Sequence, residues 1–587
     1  MSLLAVAVGA FLLGGLPLGW LALKRLRGLD ARWYAHHNLG LRGWLRSVGT
    51  VPGLVQIGID LAKGFLITGA GHLVTGTQLG AAVAGVAAYL GHLWPVAVRT
   101  GDTFKLRGRG TSMYLGVAAG ILVWAARPAW PVLAVAALAV LLILLTRYAA
   151  LGKAAALIAL PVIVLVAGEP LILVGLVALA SLAGLWRWKE NLGRVLDGTE
   201  PTVDELTPLP GDPDGPRAAA FMIHPMDPED WFQAGRFRWL RGAWRRGLVP
   251  RGLAYWIAAR IRPMKTGVVR GITAPDGREI LLYLIGCPLL PEQIKAYPRL
   301  AERRAIQAAQ LTRELGAEIL GLGAFWSTVG RKGEAVQEAV PETRVTNGGA
   351  YTAGSVKVGV ARALVKVREA GVEPAAATAA VVGANGVVAF GCCRVIAPDF
   401  RRVIMIGRDP VRLERSAETL RRAYPETTFE TSTDLHSAGD AEVVFTATSE
   451  PAPVLYNEHL RKGAWVYDLG RPYDVAREVY LSGHARVIPG GVVRPPGELL
   501  SRVDLHFGPG MVPACLAETL ILAMTGEWQR ASIGGSTRTE DILYFISKAA
   551  ELGFEVLDDP FPAAQPEVEA GRARLGPQAS GSPSAGA

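Results

Sequence analysis

The sequence predicts a multi-domain fold: a polytopic α-helical membrane bundle of six or seven spans, followed by a soluble α/β domain built around a nucleotide-binding strand–turn–helix. Three observations predict it. Residues 1–186 are mostly apolar runs separated by short, arginine-bearing loops. A proline-rich stretch near residue 200 marks a change of solvent. From 218 to 557, short apolar strands alternate with helical stretches, and a glycine-rich turn opens one helix.

A chain of 587 residues exceeds one ordinary domain. Half its residues are hydrophobic and the net charge is +10. Because arginines flank the apolar runs, the charge reads first as membrane topology and second as attraction to anionic substrates. No basic helix or binding motif points to nucleic acid. The cysteines are Cys287, Cys392, Cys393 and Cys515, with no CxxC pair. That spacing argues against a structural zinc or disulfide framework, and no metal is expected.

The predicted membrane domain covers 1–199, with spans at 2–22, 51–72, 79–98, 113–127, 131–146, 154–168 and 170–186. The first lacks the basic start and small-residue cleavage site of a signal peptide, so it reads as retained. Basic residues crowd the loops 23–50, 99–112, 147–153 and 187–194. With seven spans these loops share one side, which the positive-inside rule makes cytoplasmic. The expectation is a multi-pass plasma-membrane protein whose C-terminal domain is cytoplasmic. Asp60 and Lys63 lie one helical turn apart inside the second span and can pair there. Such charges serve a site or fix helix packing.

Several stretches carry a family pattern: Pro17-Leu18-Gly19, Asn38-Leu39-Gly40 through Arg46, Asp60-Leu61-Ala62-Lys63-Gly64, and Gly91-His92-Leu93-Trp94-Pro95. Gly108-Arg109-Gly110, Thr146-Arg147-Tyr148, and Glu190-Asn191-Leu192 through Gly198-Thr199-Glu200 complete it. In this order, residues 1–202 resemble the bacterial acyl-phosphate:glycerol-3-phosphate acyltransferase family. The resemblance implies acyl transfer from acyl phosphate to glycerol 3-phosphate at a membrane lipid surface. It assigns catalysis to His36, Arg46, Lys63 and Asn191, and substrate binding to Asn38, Gly40, Gly108, Arg109 and Gly110. Cationic loops and exposed backbone N–H groups suit two phosphorylated substrates. The chain departs from the family at His36, where a serine is usual, at Arg42-Gly43 in place of Thr-Asn, and at Arg107 in place of glycine. Trp188 replaces a histidine and cannot move a proton as imidazole does. Either His36 or His37 takes over that role, the acceptor differs, or the domain is an anchor or lipid feeder.

Residues 200–217 read as a semi-rigid acidic linker. The segment 231–264 mixes tryptophan with arginine, a composition suited to the headgroup layer or to a solvated helix. Residues 558–587 read as a disordered tail rich in Ala, Gly, Pro and Ser.

An apolar strand at 379–382 precedes Gly383-Ala384-Asn385-Gly386-Val387-Val388-Ala389. Two glycines let the turn close on a pyrophosphate, and Ala389 allows close helix–strand packing. This makes 371–557 a Rossmann-type unit, with Gly383, Asn385, Gly386 and Ala389 as cofactor-binding residues. Further strands are expected at 402–406, 442–446 and 464–467, and helices at 410–423 and 455–461. Arg408 ends the second strand where an acidic residue would favour a free ribose hydroxyl. Arginine there suits a 2′-phosphate, so the expected cofactor is NADPH, although Asp409 stands beside it. Cys392 and Cys393 read as helix-to-sheet packing.

Cys515 follows a Gly/Pro loop, with Pro513 suited to open a helix. In a first turn the helix dipole lowers a thiol's pKa, which would make Cys515 a nucleophile. Matching segments are Phe221-Met222-Ile223-His224-Pro225, Cys287 through Glu292, Gly321-Leu322-Gly323-Ala324-Phe325, Thr346 through Ala353, Gly490-Gly491-Val492-Val493 and the Cys515 segment. With them, residues 218–557 resemble the long-chain acyl-[acyl-carrier-protein] reductase family. The resemblance implies reduction of an acyl-carrier-protein thioester to a fatty aldehyde through an acylated Cys515. Residues 218–370 would hold the acyl substrate, with His224, Ser327 and Tyr351 as polar site groups.

Overall fold

The computed structural model describes residues 2–28, 49–95, 99–100, 104–105, 110–205, 208, 216–369, 371–373, 376–535 and 537–557. The chain divides into two compact units. The first comprises Met1–Pro216, Phe232–Leu248 and Leu311–Ala317; the second comprises Arg217–Trp231, Val249–Gln310 and Glu318–Ala587.

The first unit is helical. Its elements are α1 (Leu3–Gly14), α2 (Leu18–Arg27), α3 (Thr50–Thr75), α4 (Gln78–Leu93), a hairpin of β1 (Arg99–Thr100) and β2 (Phe104–Lys105), α5 (Thr111–Trp124), α6 (Trp130–Thr146), α7 (Ala149–Val166) and α8 (Leu171–Asp197). Among the described residues, four helical stretches are long and apolar enough to cross a membrane: Leu3–Leu26, Val51–Thr75, Ala149–Val166 and Leu171–Asp197. This corrects the expected six or seven spans. Helices α4, α5 and α6 have 16, 14 and 17 residues. At about 1.5 Å per residue they fall short of a hydrocarbon core about 30 Å thick.

Glycine lets these helices touch through their backbones. A Cβ at Gly64 would lie 2.3 Å from the Met113 carbonyl oxygen, and one at Gly116 would lie 2.0 Å from that of Leu61. Small residues at a crossing serve helix association where water gives no drive. The expected Asp60–Lys63 pair does not form. Lys63 Nζ donates to the carbonyls of Gly14 (2.8 Å) and Leu16 (3.1 Å), while Asp60 accepts from Gln56 Nε2 (3.2 Å). Gly14 ends α1, where carbonyls lack helical partners, so the ammonium satisfies them.

The second unit holds two six-stranded sheets. One runs β14-β4-β5-β3-β6-β7, made from β3 (Arg217–Ile223), β4 (Met264–Thr273), β5 (Glu279–Gly286), β6 (Ile319–Leu322), β7 (Arg344–Thr346) and β14 (Gly497–Leu500). Strands β5, β3, β6 and β7 are parallel; at one side β4 pairs antiparallel to β5, and β14 antiparallel to β4. The other sheet is wholly parallel, ordered β10-β9-β8-β11-β12-β13. Its strands are β8 (Thr378–Val382), β9 (Arg402–Ile406), β10 (Thr428–Ser432), β11 (Val443–Thr446), β12 (Trp465–Asp468) and β13 (Arg486–Pro489). Counted from β8, that order is 3-2-1-4-5-6, the doubly wound dinucleotide-binding arrangement. Central strands β8 and β11 are buried throughout, which explains their unbroken apolar sequence.

Strands and helices fall close to the expected positions, with one correction. The helix expected at 455–461 is a single turn at Asn457–His459, because Leu455 instead bridges in parallel to Val475. Four further helices position the site: α9 (Gly349–Gly354), α10 (Val387–Ile396), α11 (Pro410–Ala423) and α12 (Ala514–Thr525).

Candidate functional site

Parallel strands deliver loops to one edge. In the first sheet, β3 leads into His224, β6 into Gly323-Ala324, and β7 into Asn347-Gly348. In the second, β8 leads into the Gly383 turn and β13 into Gly490-Gly491. Ala514 N donates to the Gly491 carbonyl (2.8 Å), so α12 starts at the end of the second sheet. Gly348 lies against the Cys515 backbone, and a Cβ at Gly349 would lie 3.2 Å from Val387 Cγ1 at the start of α10. The Gly348-Gly349 loop thus touches both the cysteine and the nucleotide helix.

The Gly383–Gly386 turn closes tightly between β8 and α10. Gly383 has φ +86°, and a Cβ there would fall 2.6 Å from the Ala447 carbonyl oxygen, so only glycine fits. Gly386 caps α10, and Ala389 is fully buried. Asn385, expected at the cofactor, is committed elsewhere: its amide exchanges two 3.1 Å hydrogen bonds with the Asp409 backbone. Asp409 caps α11 by accepting from Arg412 N (3.0 Å), so its carboxylate is occupied. Arg408 pairs with Glu450 (2.7 Å), yet its side chain is 85% exposed. Cys392 and Cys393 are buried, as packing residues should be.

Cys515 is the second residue of α12, with Pro513 as the cap. The expected lowering of its pKa is overturned: burial pushes the thiol up to about 11, outweighing the N–H groups around it. A base is therefore needed for nucleophilic attack. His224 offers one candidate acceptor. Its Nδ1 lies 2.9 Å from the Pro225 carbonyl, which fixes the proton there and leaves Nε2 an acceptor. Nε2 is buried with no hydrogen-bond partner, and burial lowers the pKa, keeping the ring neutral. The ring meets Phe325 edge-on at 5.7 Å, next to Ala324. Ala324 has φ +46°, rare outside glycine, and its carbonyl accepts from Ser327 Oγ at 2.6 Å. Tyr351 does not line an open site. Its side chain is 2% exposed and packs toward Phe545.

Glu518 is the residue that sequence reasoning missed. It is fully buried one turn after Cys515 and accepts from Thr346 Oγ1, Tyr351 N (2.9 Å) and Ser532 N (3.2 Å). A lone acid in the apolar run Ala514–Thr525 was the available signal. It ties the Thr346–Tyr351 loop to the cysteine helix.

In the first unit, His36, Asn38, Gly40, Arg46, Gly108 and Arg109 lie outside the described residues. Gly110 caps α5, and a Cβ there would meet His92 Nε2 at 2.2 Å. His92 Nδ1 stands 3.4 Å from Lys63 Nζ. An ammonium can only donate, so the His92 proton sits on Nε2, beside Gly110. His92 was visible in its motif but unassigned. Arg187 binds the Leu93 carbonyl (2.6 Å), joining this corner to α8. At the end of α8, Gly198 (φ +69°) reverses the chain. Glu200 thereby accepts from Asn191 Nδ2 and Arg194 Nε, each at 2.7 Å. Trp188, 3% exposed, lies one turn earlier beneath the Lys153 ammonium.

Residues 4–198 match the family "Glycerol-3-phosphate acyltransferase". The glycerol-3-phosphate acyltransferase of Synechococcus sp. (strain CC9902) is 37% identical over 205 residues, covering 35% of this chain and 96% of that protein. A solved integral membrane glycerol 3-phosphate acyltransferase, in its glycerol 3-phosphate form, is 26% identical with a TM-score of 0.30, covering 34% of this chain and 96% of the other. For the second unit, L-tryptophan dehydrogenase from Nostoc punctiforme is 15% identical with a TM-score of 0.26, covering 62% of this chain and 87% of the other. Through its N-terminal third, this chain belongs to the glycerol-3-phosphate acyltransferase family.

Proposed function

We propose that this chain is a two-centre, membrane-bound enzyme of lipid metabolism. The first centre transfers an acyl group from acyl phosphate to glycerol 3-phosphate. The second reduces an acyl-carrier-protein thioester to a fatty aldehyde with NADPH. Family membership supports the first. The observation that carries the second is the junction of Gly348-Gly349 with both Cys515 and the nucleotide helix.

At the first centre, a glycerol 3-phosphate hydroxyl attacks the acyl carbonyl, the bond to phosphate breaks, and inorganic phosphate leaves. His92 Nε2–H, set by Lys63, donates to a phosphoryl oxygen at Gly108-Arg109-Gly110. Asn38, Gly40 and Arg46 hold the other phosphate, and Asn191 and Glu200 fix the last helix. His36 takes the hydroxyl proton in place of the imidazole lost at Trp188.

At the second centre, His224 Nε2 accepts the Cys515 proton as sulfur attacks the thioester. The acyl group moves to Cys515, and the carrier leaves as a thiol by taking that proton. A bound NADPH would supply the hydride for the acyl carbon, and the Cys515 sulfur would leave that carbon as the thiolate when the aldehyde is released. The Gly383 turn, the start of α10 and exposed Arg408 fit a dinucleotide with a 2′-phosphate. Ser327 and the Tyr351 loop shape the acyl side.

The test is the whole protein in lipid with each substrate pair. Acyl phosphate plus glycerol 3-phosphate yields acylated glycerol phosphate, and acyl-carrier thioester plus NADPH yields aldehyde. The buried Trp188 favours one second reading, a reductase with the first unit as membrane anchor or lipid feeder. Absence of the first product with retention of the second selects it.

A further inference from the structure

Glu450 stands between two cations that come from different sheets. It lies in the loop after β11, and Arg408 lies in the loop after β9. Lys295 lies on the short helix Pro291–Ala296, which follows β5 of the first sheet. Arg408 Nη2 is 2.7 Å from Glu450 Oε1, and Lys295 Nζ donates to Glu450 Oε2 at 3.1 Å.

The loop that carries Glu450 is fixed beside the nucleotide turn. A Cβ at Gly383 would stand 3.2 Å from Thr448 Cγ2. Thr448 N donates to Asp474 Oδ2 (2.8 Å), and Thr446 Oγ1 donates to the same oxygen (2.7 Å). Glu450 N donates in turn to Thr448 Oγ1 (3.3 Å). Asp474 is wholly buried, so the loop has a firm anchor. Strands β9 and β11 flank β8, which places Arg408 and Glu450 on either side of the Gly383 turn. A doubly wound sheet takes its ligand at this end of its strands.

The two contacts of Glu450 are unequal. Lys295 makes an aligned hydrogen bond. Glu450 Oε1 is closed to water and, close as it is to Arg408, receives no aligned hydrogen bond. The arginine side chain is also far more exposed than the carboxylate, 85% against 24%. Arg408 is thus the partner free to leave, and Lys295 keeps Glu450 paired when it does. A partly buried carboxylate left without a cation would oppose that exchange.

We propose that Glu450 and Lys295 set the preference for a 2′-phosphate. Glu450 competes with that phosphate for Arg408, and Lys295 weakens the competition by neutralising the carboxylate. The inference rests on the assignment of Arg408 to the 2′-phosphate. A phosphate monoester carries more charge and more acceptor oxygens than a carboxylate, so it prevails at an arginine fork. A ligand with a free 2′-hydroxyl has no anion to exchange there.

The test is calorimetric binding of adenosine 2′,5′-bisphosphate and of 5′-AMP to the full chain in lipid. The two ligands differ only in the 2′-phosphate, so each variant is read as the ratio of their affinities. In E450Q the ratio is expected to rise about two- to five-fold, the range of an exposed ion pair. In K295Q it falls by a similar factor. In K295Q/E450Q it returns to the E450Q value, because Lys295 acts through the carboxylate. A ratio unchanged in E450Q, or a K295Q loss that persists in the double variant, overturns the inference. R408A separates this inference from the reading beneath it. A ratio that falls in R408A but does not move in E450Q keeps the 2′-phosphate at Arg408 and removes only the role of Glu450. A ratio unmoved by R408A removes the assignment of Arg408, and this inference with it.

Discussion

Gly348 lies so close to Cys515 that a Cβ on the glycine would stand 2.2 Å from the Cβ and 2.4 Å from the Cα of the cysteine. At φ +71° the glycine also adopts a backbone that other residues resist. The contact joins the first sheet's loop to the cysteine helix without an intervening side chain.

Gly348→Ala should therefore act on Cys515 directly. The methyl group displaces either the loop or the start of α12, at a cost of about 1–3 kcal/mol. Thermal unfolding reads the cost, and aldehyde formation should fall more than stability alone explains.

The thiol gives a pH prediction. Burial places Cys515 at about 11, so below that pH it is protonated and its thiolate fraction grows about tenfold per pH unit. Alkylation by iodoacetamide in the absence of substrates should rise through pH 7–10 without a plateau. A plateau below pH 8 contradicts the site electrostatics. In His224→Gln, aldehyde formation should fall by roughly 10²–10⁴ while this alkylation profile stays put.

Glu518→Gln keeps the shape but replaces one acceptor oxygen with a donor group that faces other donors. Loss of a buried network should cost about 2 kcal/mol or more. Tyr351 N and Ser532 N lie at its ends, so their amides should lose hydrogen-exchange protection together. Unchanged protection would show that Glu518 does not hold the loop.

Arg408→Ala tests the cofactor assignment. Without the guanidinium, NADPH should lose about tenfold or more in kcat/KM while NADH changes little. Equal losses for both would place the 2′-phosphate elsewhere.

The doubly wound sheet was largely legible. Period-two and unbroken apolar strands, a Gly383–Ala389 turn and proline-opened helices are local signals, and Arg402–Ile406 and Pro410–Ala423 fall where the pattern put them. What escaped depends on long-range placement. Lys63 reaches Gly14, 49 residues away, rather than Asp60 one turn off. Asn385 is claimed by Asp409 across 24 residues. The Cys515 pKa is set by burial, which helix position alone does not reveal, and Gln78–Leu93 stops ahead of Pro95, short of its apolar window 79–98.

The central claim is that Cys515 carries the acyl group between carrier and hydride. The direct measurement is mass analysis of the whole protein in lipid after exposure to acyl-carrier thioester without NADPH. A single acyl adduct is expected on the Cys515 peptide, lost as aldehyde when NADPH is added and absent in Cys515→Ser. An adduct that persists in Cys515→Ser, or NADPH-dependent aldehyde formation by that variant, contradicts the account.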